Sequence, residues 1–202
     1  MQPIQTTEST DQTAKDIIYI SYSPKDRSYL EIFIDYLMIL KIKHIDYRFD
    51  HSNRTIDDWS DDVQQMISSA QMTICLLTNQ YLSSALIQEK EFPAIQVRQK
   101  QGMVLFPVLI KDCLWHIIPW FDNTQIYPKS GVPLQEMDDL SREKTISQIM
   151  QDIPVWIKTN NHVQMNPSVE SSIYKTNGIN YANGIYYKEK IGNPDLFSGR
   201  KK

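Results

Sequence analysis

The stretch Asp16-Ile17-Ile18-Tyr19-Ile20-Ser21, running on through Tyr22 into the turn Ser23-Pro24-Lys25-Asp26, decides the fold. A short apolar run that stops at turn residues reads as a strand buried on both faces, the kind found where helices cover a parallel sheet. Downstream of it, Leu30, Phe33, Ile34, Leu37 and Leu40 recur at helical spacing and predict a helix from Asp26 to about Lys41. Ile42 to Phe49 reads as a second strand, and Asp50 to Thr55 as a polar loop. Asp57 or Asp58 can cap a helix with the stripe Trp59, Val63, Met66 and Ile67. Met72 to Leu77 is another buried strand. Asn79, Ser83 and Ser84 offer caps for a helix ending near Gln101, where Gly102 stops it. Met103 to Ile110 supplies a fourth strand and Gln125 to Tyr127 a short fifth, and Ser141 caps a last helix, Arg142 to Trp156. Strands joined by helices at this spacing predict an α/β fold, a parallel sheet of about five strands covered by helices on both faces.

Composition narrows the partners. The chain has 202 residues and a formal net charge of −3, with Lys and Arg scattered, so it carries no basic footprint for nucleic acid or a membrane surface. Cys75 in an apolar run and Cys113 in a loop-like segment read as free thiols of a reducing compartment. His44, His51, His116 and His162 stand too far apart for a metal motif, so no metal ligands are expected. The polar N-terminus, residues 1–15, has no signal-like apolar core, and no stretch reaches membrane-span length, which points to a cytoplasmic protein. Neither G-x-G-x-x-G nor G-x-x-x-x-G-K-[ST] occurs, nor a G-x-S-x-G elbow, so dinucleotide-fold, P-loop and triad chemistry lack their motifs.

One acid is oddly placed. In Leu86-Ile87-Gln88-Glu89-Lys90-Glu91-Phe92-Pro93, helical periodicity puts Glu91 on a stripe with Ile87 and Ile95, while Glu89 points the opposite way. A carboxylate among apolar groups is costly unless paired, protonated or used. From spacing alone Glu91 is either a helix-start acid held by the dipole and by Lys90 or Arg98, or a group set for chemistry. Pro93 fits a first-turn position or marks a short turn before the main helix. In a sheet of this kind the ligand crevice lies beyond the carboxyl ends of the strands, where residues 21–26, 50–59 and 78–91 would meet.

At this point the residues carry a family resemblance. Asp16-Ile-Ile-Tyr-Ile-Ser-Tyr-Ser-Pro-Lys-Asp26 resembles the first box of a TIR (Toll/interleukin-1 receptor) domain, F-I-S-Y-x-x-x-D. Asp57-Asp58-Trp59 is similar to the G-D-D-W after that family's BB loop, and Leu76 to Ser84 to its L-x-S-x-x-[FY]-L-x-S. Glu91-Phe92-Pro93 stands where bacterial members have E-L-P, and Pro107 to Trp115 and Pro128 to Leu134 are similar to their later strand and loops. The resemblance spans about Asp16 to Lys158 and implies a flavodoxin-like fold. For many bacterial members it further implies cleavage of the nicotinamide glycosidic bond of NAD+, as hydrolase or ADP-ribosyl cyclase in Thoeris-like anti-phage defence, with self-assembly and a downstream effector that senses the nucleotide product. By the same resemblance the catalytic acid is Glu91. Ser21, Tyr22, Ser23, Arg54, Asp58, Trp59 and Ile87 would contact or border the dinucleotide, which is a substrate and not a cofactor. Leu86 or Ile87 replaces the family's aromatic residue before the acid, and Ile56 stands in the BB loop where a glycine is usual. Those departures suit a second reading, a TIR interaction module without turnover; a nucleoside deoxyribosyltransferase is a third.

Past about Asn160 the composition turns to Asn, Ser, Tyr and Gly. Asn177-Gly178 and Asn183-Gly184 between Ile- and Tyr-rich segments are hairpin signals. The expected organisation is a flexible stretch over residues 1–15, a TIR domain over 16–158 and a C-terminal extension with short β-hairpins over 159–202.

Overall fold

A computed structural model describes residues 16–51, 59–121, 124–165, 180–182 and 185–187. Among them, strands β1 (Asp16–Ser21), β2 (Ile45–Arg48), β3 (Met72–Leu77) and β4 (Val104–Leu109) form one parallel sheet in the order β2-β1-β3-β4. Helices α1 (Arg27–Leu40), α2 (Asp61–Ser69), α3 (Asn79–Leu82), α4 (Phe92–Lys100) and α5 (Asp139–Met165) cover it. Every residue of β3 is buried, as an unbroken apolar run in the middle of a doubly covered sheet must be.

Side-chain alternation along β1 sorts the core into two halves. Ile18, Ile20 and Tyr22 meet Leu30, Phe33 and Leu37 of α1 and Ile146, Ile149 and Ile153 of α5. Tyr19 points the other way, with Cys75 and Leu77 of β3, toward Val63 and Ile67 of α2 and Phe92 and Ile95 of α4. Full burial of each Leu, Ile or Phe here is worth about 2 kcal/mol, so the α1 stripe alone outweighs any local propensity in that helix.

The structure corrects several boundaries. β2 begins only at Ile45, because Lys41–Lys43 continue α1 as a 3-10 turn and His44 takes the left-handed conformation, φ 60°, that ends it. Ser60, not an aspartate, caps α2 by accepting the Val63 N–H at 3.5 Å, which leaves Trp59 ahead of the helix, half-buried against the second core. The expected fifth strand is reduced to a single parallel bridge, Val108 to Tyr127, flanking β4. Asp138 caps α5 through the Ser141 N–H at 2.9 Å, and the helix runs on to Met165. Residues 180–182 and 185–187 pair antiparallel in the register Ala182 to Ile185. Residues 1–15 and Asn177-Gly178 lie outside the described residues, as does Asn183-Gly184. No helix among the described residues is long and apolar enough to cross a membrane.

The carboxyl ends of β1, β3 and β4 are tied together by one buried carboxylate. Asp26, in the 3-10 turn Pro24–Asp26 after β1, accepts from Thr78 Oγ1 at 2.5 Å just past β3 and from Lys111 Nζ at 3.2 Å just past β4. Asp26 is fully enclosed whereas the Lys111 side chain is partly in water, so loss of Lys111 strands a buried carboxylate while loss of Asp26 leaves a lysine that can turn to solvent. Asp26→Ala is expected to lower unfolding free energy by about 2 to 3 kcal/mol, and Lys111→Met by about as much, read from urea melts. A loss of less than about 1 kcal/mol in Lys111→Met would show that the hydrogen bond from Thr78, and not the ion pair, holds this corner.

Candidate active site

Ser21 is the last residue of β1, and the sheet register sets it beside Cys75 of β3 on the face covered by α2 and α4. Ala85 and Leu86 begin a helical segment whose turn Ile87–Glu91 is π-helical before it becomes α4 at Phe92. The Phe92 N–H donates to the Ile87 carbonyl, five residues back. Pro93 supplies the local cause: it has no N–H to give to residue 89, and in a regular helix its ring would strike that carbonyl. Widening the preceding turn removes the clash. Pro93 thus stands in the first turn of α4, as its sequence position allows, and a short π-helical turn leads into it.

That winding delivers Glu91 to the sheet. Glu91 is 1% exposed, while Glu89 and Lys90 lie in solvent. Ser21 Oγ donates to Glu91 Oε2 at 2.5 Å, and Ser21 Oγ also meets Tyr81 Oη at 3.0 Å. Tyr81 comes from α3, whose N-terminus is capped by Thr78, the same threonine that binds Asp26: Thr78 Oγ1 accepts the Tyr81 N–H at 3.0 Å. The Tyr81 ring stands edge-on to Phe92, centroids 5.6 Å apart, and Phe92 in turn packs edge-on to Trp120 and Phe121.

Electrostatics in this corner follow from burial. Cys75, fully enclosed, has its thiol pushed up to about 12 chiefly by desolvation, against a lowering hydrogen bond from Tyr81, with Glu91's negative charge adding to the rise. The Tyr81 phenol is lifted well above its usual value by desolvation first, then by the charges that Cys75 and Glu91 would carry. Both groups keep their protons at neutral pH.

Of the residues named from sequence, the structure brings Ser21 and Glu91 into contact and buries Ile87 one turn before Glu91. Tyr22 turns to the opposite face, where its hydroxyl donates to the Asp50 carbonyl at 2.8 Å and its ring stands edge-on to Phe49. Ser23 is buried beside it and Trp59 is half-buried. Arg54, Asp57 and Asp58 lie outside the described residues. Tyr81 and Cys75 were not singled out from sequence. Their signal was present in the strand period, which places Cys75 on the face of Ser21, and in the Thr78 cap three residues before Tyr81. Among the described residues no group of His, Cys, Asp and Glu is arranged to hold a metal ion.

A parallel sheet in the order β2-β1-β3-β4 flanked by helices defines the class as α/β. The family described as the TIR domain matches residues 18–142, most of the chain, and this protein belongs to it. No curated protein matches it closely. Among solved structures it is similar to the TIR domains of the activated Roq1 resistosome directly recognising the pathogen effector XopQ, at 14% identity over 78% of this chain and 86% of that one, TM-score 0.41. It is similar to the TIR domain of the Toll-related receptor TRR-2 from Hydra magnipapillata, at 14% identity over 68% and 97%, TM-score 0.43. The RPS4 and RRS1 TIR domain heterodimer matches at 15% identity over 71% and 99%, TM-score 0.49.

Two measurements check this geometry. Pro93→Ala returns the missing donor, and its amide is expected to exchange with deuterium at least about tenfold more slowly than in the unfolded chain; exchange at the unfolded rate would show that packing rather than Pro93 sets the wide turn. For the thiol the sign runs through linkage: folding raises the Cys75 value from 9.0 to about 12, so its contribution is complete below pH 9 and lost as pH rises toward 12. The melting temperature is expected to fall across that window, and to fall less in Cys75→Ala.

Proposed function

We propose that this TIR domain cleaves the nicotinamide N-glycosidic bond of NAD+, with Glu91 as the catalytic carboxylate. The supporting observation is Glu91 itself: a helix acid carried into the core at the rim of the sheet, 1% exposed, and bound by a serine hydroxyl at 2.5 Å. An acid desolvated and held by a hydroxyl is suited to stabilising a positive charge that appears only in the transition state.

The chemistry asks little else of the protein. As the C–N bond to nicotinamide breaks, its electron pair passes to the pyridinium nitrogen and neutralises it, so no acid need protonate the leaving group. The ribose becomes oxocarbenium-like, and the Glu91 carboxylate stabilises that charge and holds the ribose hydroxyls. Water then attacks C1 and sheds its proton, giving ADP-ribose; attack by a nucleophile within the product or by another molecule gives a cyclic or conjugated form. Ser21, Ser23, Trp59 and Ile87 are proposed to border the sugar position, Tyr22 is excluded from it by its place on the opposite face of the sheet, and Arg54 and Asp58 belong to the loop proposed to cover it.

With Glu91 so enclosed, contact with a sugar requires the packing over it to open. We assign that step to contacts between copies of this domain in the cytoplasm, in keeping with a signalling role in bacterial immunity against phage whose nucleotide product an effector reads. The same enclosure is the one observation that favours a second reading, an interaction module without turnover.

The two separate in one assay. Purified protein, alone, with a crowding agent and with lysate of phage-infected cells, is incubated with NAD+ and free nicotinamide is measured by chromatography and mass spectrometry. Release by the wild type and a loss of at least about a hundredfold in Glu91→Gln is the expected outcome. No release by the wild type under any of these conditions removes the hydrolase reading and leaves the interaction module.

A further inference from the structure

We infer that Tyr81 is a positioning residue for Glu91, acting through Ser21, so that the carboxylate is held by a directed chain of hydroxyl donors running up from the floor of the core. The inference rests on the proposed role of Glu91 and adds to it the groups that orient the acid.

A count of protons gives the chain its direction. Ser21 has one hydroxyl hydrogen, and the 2.5 Å contact directs it to Glu91 Oε2. In its 3.0 Å contact with Tyr81, Ser21 Oγ therefore accepts and the phenol donates. Both donors in the series Tyr81, Ser21 thus point toward the carboxylate, and the first bond polarises the second.

The series is also mechanically fixed. Tyr81 cannot swing away, because its backbone N–H is held by Thr78, Thr78 is held by buried Asp26, and its ring is wedged against Phe92. Ser21 sits on a central strand with no exposure. A carboxylate on a widened helical turn would otherwise have rotamer freedom; here one of its oxygens is pinned to a rigid strand. A purely structural tyrosine would serve as well without its hydroxyl, since the ring contacts belong to the aromatic edge alone.

The test uses Tyr81→Phe, which keeps the ring, with Ser21→Ala as the second variant and the double variant to close the cycle. Glu91 is followed by 13C-carboxyl NMR in protein labelled at glutamate, with Glu91→Gln to assign the signal. Tyr81 and Cys75, whose charges would couple to that of Glu91, both stay neutral through the acid range scanned. Loss of the Tyr81 hydroxyl is expected to raise the Glu91 midpoint by about half a pH unit or more, because a hydrogen bond that favours the charged form has been weakened. Where nicotinamide release is observed, kcat is expected to fall about tenfold with KM within about twofold, and Tyr81→Phe is expected to add nothing in the Ser21→Ala background. An unchanged Glu91 midpoint in Tyr81→Phe, or an undiminished effect of it when Ser21 is already alanine, overturns the inference. The titration decides this even if the wild type releases no nicotinamide, an outcome that would count against the proposed function alone.

Discussion

A charged group cannot be left in a protein interior without partners, and the burial of Glu91 is the constraint around which this domain is arranged. Removing a carboxylate from water costs several kcal/mol, and the cost is recovered only through well-made hydrogen bonds. Ser21 meets that demand from the end of the central strand, which fixes where α4 docks and in what rotation. The wide turn before Pro93 makes the rotation available. The buried Asp26, through Thr78, anchors the loop from which Tyr81 reaches the same serine. Polar contacts separated by 52 to 70 residues in sequence thus converge on one corner of the sheet.

The two faces of the sheet divide the labour. The face under α1 and α5 is packed with aliphatic and aromatic side chains, and its period is legible because nothing but burial shapes it. The face under α2 and α4 carries the same kind of core, but Ser21, Cys75, Tyr81 and Glu91 are set into it where β1 and β3 end. Buried polar networks of this sort add little to stability relative to apolar packing and fix one arrangement of the groups in them.

Membership of the TIR domain family establishes the scaffold and leaves the chemistry to the site. Domains of this family act either by turnover of NAD+ or by recruiting partners. In this chain Glu91 is buried and bound by Ser21 at the rim of the sheet.

Local chemistry by itself determined the run Met72 to Leu77 as a buried strand, the α1 stripe, the parallel covered sheet and the side of the helix on which Glu91 lies, because period and turn residues act over a few neighbours. It misplaced the cap of α2, since Ser60 and the two aspartates before it are equally good acceptors on paper and only the docked helix selects among them. It allotted a short fifth strand to residues 125–127, where the folded chain keeps one bridge beside β4. Most of all, it could not bring Tyr81 and Cys75 to Ser21. Which hydroxyl meets which carboxylate across 60 or 70 residues is decided by strand register and by the angle at which a helix docks, and those belong to the packed whole.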